Sequence, residues 1–220
     1  MIHEKYQTII TNSEAAEKVV KEILDHGYIA LENFLDDATK EQFDAFTRAR
    51  KVGNRKGDDL QGTIVYEFGY SDEVLALSQS LHSARCALTG EHHKILEKSK
   101  QLVGTPYKGE LNPTTNTITA YHYDGAYINL IIPLVLPENQ EQDGGNLVMF
   151  PNLRLHYPAL ISKVISRLLR HSEWFREWFG YTKVYYKTNT LYIFFGDLSF
   201  HGVEPLIRGE RVVLTVNSHW

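Results

Sequence analysis

The segment TAYHYDGAY, residues Thr119–Tyr127, places a histidine and an aspartate two positions apart in a strand-like run. On a β-strand, side chains at positions i and i+2 project from the same face. His122 and Asp124 would therefore present an imidazole and a carboxylate side by side, with their backbones roughly 7 Å apart. Both can converge on one atom, for which a metal ion is the obvious candidate. The pair alone is weak, because an H-x-D triplet also occurs by chance on the polar face of a surface strand.

The residues around this segment predict a β-rich C-terminal half. From about residue 115, short runs rich in β-branched and aromatic residues alternate with turn residues, which is typical of strands. One helical insert is predicted between Ala159 and about Trp178. The predicted strands are TITAYHY (117–123), YINLIIPLV (127–135), NLVMF (146–150), KVYYK (183–187), TLYIFF (190–195), HGVEPLI (201–207) and RVVLTVN (211–217).

The N-terminal half is predicted to be rich in helices. The capping-box pattern Thr11–Glu14 precedes apolar residues at helical spacing, and Gly27 is placed to end that helix. Asp36 or Asp37 can cap a second helix. The remaining predictions are a strand over 28–34, a polar loop over 48–62, a strand over 64–68, and helix from 71 to about 102 with a break near Gly90.

The two halves together predict one α+β domain spanning residues 1–220. Residues 1–112 would supply helical support and entry strands, and residues 113–220 the β core. Helices packed against a barrel or jelly-roll would bury the apolar faces of both halves.

The composition describes a slightly acidic chain of moderate size. Its 220 residues carry a formal net charge of -4, which argues against the basic surface of a dedicated nucleic-acid binder. The single cysteine, Cys86, excludes an internal disulfide framework and a cysteine-based zinc cluster, and it fits a reducing compartment. The N-terminus has no signal-peptide pattern, and the most apolar stretch, 127–137, is too short to span a bilayer. We predict a cytoplasmic protein without nucleic-acid or membrane partners, and make no prediction of its oligomeric state.

A third metal ligand is predicted on another strand. His201 follows the turn Gly196–Ser199 and opens a strand-like run. Two histidines and one carboxylate form the facial triad of non-haem Fe(II) oxygenases, which leaves coordination positions open for substrate chemistry. Arg211, ten residues after His201, could meet a dicarboxylate through a bidentate contact. With Gly209 in an intervening turn, the chain doubles back and returns Arg211 toward the metal end.

These motifs together resemble the Fe(II)- and 2-oxoglutarate-dependent dioxygenases, especially their prolyl-hydroxylase-like and phytanoyl-hydroxylase-like branches. The matching pieces are H-x-D at His122–Asp124 with the strand after it, GG-x-L-x-x-F-P at Gly144–Pro151, the distal His201 and the basic Arg211. Residues 27–43 are also similar to the helix–strand–helix entry of the phytanoyl-hydroxylase-like branch. The resemblance implies a double-stranded β-helix, which is a jelly-roll, cupin-like core, with flanking N-terminal helices.

The resemblance also implies the cofactor chemistry. Fe(II) would be held by His122, Asp124 and His201. The cosubstrate 2-oxoglutarate would chelate the iron through its C1 carboxylate and keto oxygen, while Arg211 binds its C5 carboxylate. With O2, the expected reaction hydroxylates an unactivated C–H bond and releases succinate and CO2. Related halogenases replace the carboxylate ligand with Gly or Ala, so the presence of Asp124 favours hydroxylation.

One departure from the family pattern concerns the second contact to the C5 carboxylate. Many relatives carry R-x-S after the distal histidine, and the serine touches 2-oxoglutarate. Here the third residue is Val213, and the first hydroxyl is that of Thr215. Asn129, on the strand after the triad pair, can donate a hydrogen bond and is the predicted replacement.

Several further features have both a structural and a functional interpretation. Arg154 either binds a substrate carboxylate at the mouth of the site or is surface charge. The histidine pair His92–His93 is predicted to lie on the surface. Four aromatic residues spaced at i and i+4 are predicted to pack against the sheet rather than form a dimer face or a substrate wall: Trp174, Phe175, Trp178 and Phe179. Five cations form either a solvated helix end or a mobile lid for an acidic substrate: Arg48, Arg50, Lys51, Arg55 and Lys56.

The preferred functional hypothesis is a hydroxylase of a small molecule, such as an amino acid or a natural-product intermediate, because the chain has no evident recognition domain. A hydroxylase of protein side chains with the same chemistry is the alternative. A non-catalytic, cupin-like binding protein is a third hypothesis, but structure alone does not require two histidines and a carboxylate on converging strands. A zinc hydrolase with these ligands would not need Arg211 at its spacing.

Overall fold

The computed structural model describes residues 1–49, 55–56, 62–90, 100–105, 107–108 and 119–219. After one turn of 3-10 helix at Glu4–Tyr6, the helices are α1 (Gln7–Thr11), α2 (Ser13–His26), α3 (Asp37–Ala49), α4 (Ile64–Gly69), α5 (Asp72–Thr89), α6 (Gln140–Asp143), α7 (Leu153–His156), α8 (Ala159–His171) and α9 (Glu173–Phe179). The strands are β1 (Tyr28–Glu32), β2 (Arg55–Lys56), β3 (Lys100–Thr105), β4 (Tyr107–Lys108), β5 (Thr119–His122), β6 (Ile128–Val135), β7 (Leu147–Phe150), β8 (Thr182–Val184), β9 (Thr190–Phe194), β10 (Phe200–Val203) and β11 (Arg211–His219).

The strands form two antiparallel sheets. The large sheet has the order β1-β9-β6-β11-β3-β2, and β4 also pairs with β11. The small sheet has the order β5-β10-β7-β8. The prediction of an α+β fold with helices packed against a β core is therefore confirmed, and that core consists of two antiparallel sheets.

Alternation along β6 sorts its side chains between two layers. Ile128, Leu130 and Ile132 join the apolar core that α2, α3, α4 and α5 build against the outer face of the large sheet. Ile131 points the other way, into a second core that also contains Leu147 of the small sheet. Because neighbouring residues of a strand face opposite sides, this pattern packs the two sheets face to face.

The outer face of the small sheet carries a third core. Val148, Phe150 and Phe200 of this sheet pack with Leu153 of α7 and Leu169 of α8. The fold is thus layered as helices, large sheet, small sheet and helices, which leaves the space between the sheets for a site. Among the described residues, no helix has both the length and the apolar character that crossing a bilayer requires.

The turn after β7 fastens α2 to this framework. The Asn152 amide donates to the carbonyls of Ile23 (2.7 Å) and Leu24 (2.8 Å) in the last turn of the helix, where carbonyls lack a full set of partners within the helix. Gly27 ends α2 as predicted, with φ +90°. A Cβ at Gly27 would lie 2.4 Å from Pro151 Cβ, so the glycine also permits this close approach.

Two predicted helix caps are placed by the structure. Asp36 is the cap of α3, since its Oδ1 accepts from Thr39 N at 2.7 Å. The cap of α2 is Asn12 rather than Thr11, because Asn12 Oδ1 accepts from Ala15 N at 3.1 Å. The one-residue shift leaves the predicted helix in place.

The predicted strand over 64–68 is wrong, because these residues form α4. The side chain of Thr63 caps the helix by accepting from Tyr66 N. Val65 and Phe68, three residues apart, are both buried on one helical face. A short apolar run does not distinguish the two structures by itself, and here the cap and the burial pattern favour the helix.

The prediction of helix from 71 to about 102 is correct only in its first part. The helix α5 ends at Thr89, followed by Gly90 in the left-handed conformation, with φ +69°. β3 begins at Lys100 and pairs with β11, so the last three residues of the prediction are strand. The predicted pair His92–His93 and most of the predicted 48–62 loop lie outside the described residues.

The aromatic cluster on α9 divides into a packed half and an exposed half. Phe175 and Phe179 pack against the core on the outer face of the small sheet. The side chains of Trp174 and Trp178 are 70% and 69% exposed and stack on each other at 6.4 Å. The prediction that all four pack against the sheet is therefore wrong for the two tryptophans, because α9 turns only one face inward.

Replacing Trp174 and Trp178 together with serine should lower the free energy of unfolding by no more than about 1 kcal/mol, since isolated surface substitutions change it by about 0.5 kcal/mol each. The matched control, Phe175→Ser with Phe179→Ser, should cost about 2 kcal/mol or more, because it removes packed rings. Urea unfolding followed by circular dichroism measures both. Equal losses in the two double variants would contradict the exposure of the indoles.

Candidate active site

Pairing within the small sheet brings the two predicted histidine ligands together. His122 at the end of β5 lies directly opposite His201 in the register of β5 and β10. Their ring centres are 4.7 Å apart. His201 is buried, whereas His122 is partly open to solvent. One imidazole thus lies deep between the sheets and the other at the rim.

Asp124 completes the group from the loop between β5 and β6. Its Oδ1 lies 3.1 Å from His122 Nε2, and its Oδ2 lies 3.3 Å from His201 Nε2. One ligand atom from each of the three residues lies within 4.8 Å of the others. The structure therefore brings all three predicted ligands to one point.

The two imidazoles determine the charge of Asp124. Burial alone would raise the pKa of this carboxyl, but hydrogen bonds and charge interactions with His122 and His201 hold its pKa well below its usual range. Asp124 is therefore a carboxylate at neutral pH, which is the form that binds a cation.

The orientation of His201 is fixed by a backbone carbonyl. Its Nδ1 lies 3.0 Å from the oxygen of Ser199. Because a carbonyl only accepts, Nδ1 carries a proton and donates to it, which turns Nε2 toward Asp124 as the atom available to a metal. A histidine ligand held this way is the usual arrangement at protein metal sites.

Asn129 lies beside the triad on β6, facing the space between the sheets. Its amide nitrogen donates to Asp124 Oδ2 and, at 3.3 Å, to Asn217 Oδ1 across the β6–β11 pair. Both amide hydrogens are engaged at this end of the site. Asn129 also lines the cavity that opens from the triad, and its predicted contact with 2-oxoglutarate stays a prediction.

The donor set fits a hard-to-borderline divalent transition metal. Two imidazole nitrogens and one carboxylate are the donors of the facial triad that binds Fe(II), and the convergent atoms provide one face of a coordination sphere. Cys86, the single cysteine of the chain, lies on α5 and is not part of this group. The chemistry of the residues thus matches the predicted iron.

A cavity of about 280 Å³ opens from the triad between the two sheets. Its walls are largely apolar, and Arg211 is the only arginine or lysine among the described residues that line it. The other lining residues are Asn129, Ile131, Leu147, Phe194, Gly202, Val203, Val213, Thr215 and Asn217. An anionic compound in this cavity would find its counter-charge at Arg211.

Arg211 is buried at the start of β11, as predicted, after a turn in which Gly209 has φ +81°. Its guanidinium carbon lies 5.3 Å from the ring centre of Tyr186. Within the described part of the chain, neither Arg211 Nε nor the Tyr186 hydroxyl has a hydrogen-bond partner. A buried polar atom without a partner costs about 1–3 kcal/mol, so this pair of groups points to a ligand that satisfies both.

Tyr186 was not predicted from the sequence. It follows β8 in a run, KVYYK, in which two adjacent tyrosines look alike, and only the structure shows that Tyr186 is buried and Tyr185 exposed. Burial raises the pKa of Tyr186, and the opposing effect of Arg211 does not cancel it. The hydroxyl is therefore protonated and able to donate.

None of the remaining predicted features is among the described residues that line the cavity of the triad. Arg154 stacks on the ring of Tyr123 at 3.7 Å and donates to the carbonyl of Asp197 at 3.0 Å, so its guanidinium is held by the protein. Of the predicted basic lid, Arg48 lies in the last turn of α3, and Arg50 and Lys51 lie outside the described residues. Arg55 and Lys56 form β2 at the edge of the large sheet.

A larger cavity, of about 550 Å³, lies between α1, α2 and α5. Of the described residues that line it, Glu17 alone is ionisable at neutral pH. Without a second titratable group or a metal-binding set, this cavity does not compete with the triad as the place of chemistry.

Gly196 lets the loop before β10 approach the triad. Its carbonyl accepts from Asp124 N at 2.9 Å, and a Cβ at this position would lie 2.4 Å from Asn129 Oδ1 and 2.8 Å from Asp124 Cβ. Contacts this close require one of these side chains to move. Glycine is therefore needed here for space around Asp124.

Gly196→Ala should weaken metal binding about tenfold, within the range of roughly 10–100-fold found when a partner of a metal ligand is lost. The reason is displacement of Asp124 and Asn129, while the rest of the sheet is untouched. Titration of the metal-free protein with Mn(II) measures the effect. Gly180→Ala is the control: with φ +82° the alanine strains the backbone and lowers stability, but nothing in the described structure lies within 4 Å of its Cβ, so metal affinity should stay at the wild-type level. Wild-type affinity in Gly196→Ala would contradict the proposed crowding.

Known structures share this fold at low sequence identity. A prolyl-4-hydroxylase from Pseudomonas putida is 18% identical with a TM-score of 0.56, over 93% of this chain and 93% of that one. A prolyl 4-hydroxylase from Phytophthora capsici is 14% identical with a TM-score of 0.62, over 100% of this chain and 66% of that one. SnoN, a non-haem α-ketoglutarate-dependent epimerase of nogalamycin biosynthesis, is 13% identical with a TM-score of 0.62, over 94% and 82%.

No protein-family model matches the chain, and no curated protein matches it in sequence. This chain spans just under two thirds of the Phytophthora enzyme. At these identities the similarity concerns the fold, and for the fold the predicted resemblance to iron- and 2-oxoglutarate-dependent oxygenases is confirmed.

Proposed function

We propose that residues 1–220 form one Fe(II)- and 2-oxoglutarate-dependent oxygenase domain, whose two sheets are the halves of a double-stranded β-helix. The observation that carries the proposal is the convergence of His122, Asp124 and His201 within 4.8 Å, in the same cavity as the buried Arg211. The shared fold supports it. A fold hosts many activities, so the argument for function depends on these four side chains.

The three convergent residues would hold Fe(II), and Arg211 would bind the C5 carboxylate of 2-oxoglutarate. When bound, the iron and the keto acid supply the oxidation of an unactivated C–H bond by O2, with release of succinate and CO2. The chain contributes position and environment. The apolar walls formed by Ile131, Leu147 and other lining residues exclude water from the reacting groups.

Tyr186 is our candidate for the second contact to the C5 carboxylate, in place of Asn129. The buried Tyr186 hydroxyl lacks a partner among the described residues and is adjacent to Arg211, whereas the Asn129 amide donates to Asp124 and Asn217. A carboxylate between Arg211 and Tyr186 would satisfy both orphaned groups. Asn129 then orients Asp124, which leaves Oδ1 and Oδ2 facing the two imidazoles.

We further propose that the substrate is a small molecule, such as an amino acid or a natural-product intermediate. The similarity to SnoN is compatible with this class. The similarity to two prolyl hydroxylases is the specific observation in favour of the second candidate, a hydroxylase of protein side chains. Both candidates use the same triad and differ only in what enters the cavity.

The test is substrate-stimulated succinate formation by the purified full chain with Fe(II), 2-oxoglutarate and O2. A panel of amino acids and metabolites is compared with an array of peptides, and products are examined by mass spectrometry for one added oxygen atom. Succinate that requires both iron and keto acid is the expected result. Metal binding without succinate formation under any condition would instead support a cupin-like binding protein.

A further inference from the structure

A partly buried ion pair joins α5 to the loop between β9 and β10, with the side chain of Asp197 20% exposed. Arg85 Nη1 lies 2.8 Å from Asp197 Oδ1, and Arg85 Nη2 lies 2.7 Å from Asp197 Oδ2. The side chain of Arg85 is 1% exposed. The two parallel hydrogen bonds form a bidentate contact, which fixes both the position and the orientation of the Asp197 carboxylate.

The guanidinium of Arg85 is itself held in place. Its central carbon lies 4.7 Å from the ring centre of Tyr127 and 4.6 Å from that of Phe195. Nη1 also lies 3.2 Å from the carbonyl of Tyr127. Arginine stacked on aromatic rings in this way has little freedom to turn, so it is a rigid support for Asp197.

The loop that carries Asp197 contacts two of the three triad residues directly. The carbonyl of Gly196 accepts from Asp124 N at 2.9 Å, and the carbonyl of Ser199 lies 3.0 Å from His201 Nδ1. The loop is only four residues long from Gly196 to Ser199. A shift of Asp197 therefore moves both carbonyls that orient the ligands.

The ion pair is expected to contribute little net free energy to folding. Removing two charges from water costs about as much as their attraction returns, and apolar replacements of such pairs are often neutral or stabilising. Neither Arg85 nor Asp197 belongs to the described residues that line the cavity, so neither contacts what binds there. What the pair supplies is a fixed loop geometry beside the triad.

We propose that Arg85 and Asp197 are positioning residues that set the metal affinity of the triad through the loop Gly196–Ser199. The inference rests on the proposed function only in requiring that the triad binds a divalent metal. In this proposal α5, which packs on the outer face of the large sheet, affects the geometry of a site on the opposite face of that sheet.

The test uses the metal-free full chain titrated with Mn(II), with free Mn(II) read by electron paramagnetic resonance. Arg85→Met, Asp197→Asn and the double variant Arg85→Met/Asp197→Leu should each bind Mn(II) about 10- to 100-fold more weakly. The double variant should be no weaker than the single variants, because both changes release the same loop. It also removes both charges, so it remains folded if an unpaired buried charge unfolds a single variant.

Phe43→Leu is the matched control. Phe43 packs on Phe68 at 5.4 Å in the helical layer, so the substitution lowers stability without touching the loop. It should keep wild-type Mn(II) affinity although it lowers thermal stability.

Wild-type Mn(II) affinity in the folded double variant would overturn the positioning role and leave the proposed function intact. Weakened Mn(II) binding in Phe43→Leu to the same degree would also overturn it, because the effect would then follow stability alone. A wild-type chain that binds no Mn(II) would overturn the proposed function as well.

Discussion

Asp124→Ala is expected to abolish metal binding and with it the formation of succinate. Loss of an outer partner of a metal ligand already costs roughly 10- to 100-fold in affinity, and Asp124 is the ligand itself. It is also the only anion of the triad, since the other two donors are imidazoles. The variant leaves His122 and His201 facing each other at 4.7 Å without the charge between them.

Metal affinity and succinate yield measure this loss independently. Asp143→Asn is a suitable control, because Asp143 is a buried carboxylate that pairs with Arg208 at 3.1 Å and lies outside the triad. It should retain metal binding. His122→Ala and His201→Ala should fail in the same way as Asp124→Ala. Wild-type affinity for the metal in Asp124→Ala would remove the basis of the proposed function.

The strand spacing that predicted His122 and Asp124 as ligands explains only part of how the structure brings them together. The i, i+2 rule placed His122 and Asp124 on one face of a strand, but β5 ends at His122. Asp124 is brought back by its hydrogen bond to Gly196, a residue 72 positions away in sequence. The spacing predicted correctly that the two side chains converge. The contact that orients Asp124 is long-range, and no local sequence pattern predicts it.

Long-range pairing also explains what could not be predicted. The direct opposition of His122 and His201 follows from the register of β5 and β10, which depends on the whole sheet. The pairing of Arg85 with Asp197 joins residues 112 positions apart. The motifs predicted that His122 and His201 share one site but not this direct opposition, whereas Arg85 and Asp197 have ordinary sequence contexts and only the fold reveals their contact.

Local ambiguity explains the errors in secondary structure. The run Ile64–Phe68 suits a strand by composition and a helix by the spacing of Val65 and Phe68. Packing of its apolar face in the helical layer decides between them. By contrast, α2 has a clear helical periodicity and β6 is a continuous apolar run, and both were predicted correctly.

Arg211→Met is expected to raise the dissociation constant for 2-oxoglutarate without removing the metal. Truncating one partner of a buried, hydrogen-bonded charge pair costs about 2–5 kcal/mol, which corresponds to roughly 30-fold to several-thousand-fold weaker binding. The loss is large because the described part of the cavity has no second lysine or arginine to replace Arg211. Lysine at this position should rescue only in part, since it lacks the planar fork of the guanidinium.

The measurement is a titration of the Mn(II)-loaded protein with 2-oxoglutarate under anaerobic conditions, which separates keto-acid binding from metal binding. Tyr186→Phe should weaken binding less than Arg211→Met, because it removes one neutral donor to the carboxylate, worth about 1.5–3 kcal/mol, and leaves the charge of Arg211 in place. Arg208→Gln is the matched control, since Arg208 lies three residues upstream and its side chain is largely exposed. If Arg211→Met bound 2-oxoglutarate as tightly as Arg208→Gln, the carboxylate would have to lie elsewhere in the cavity, and Tyr186 would lose its proposed role together with Arg211.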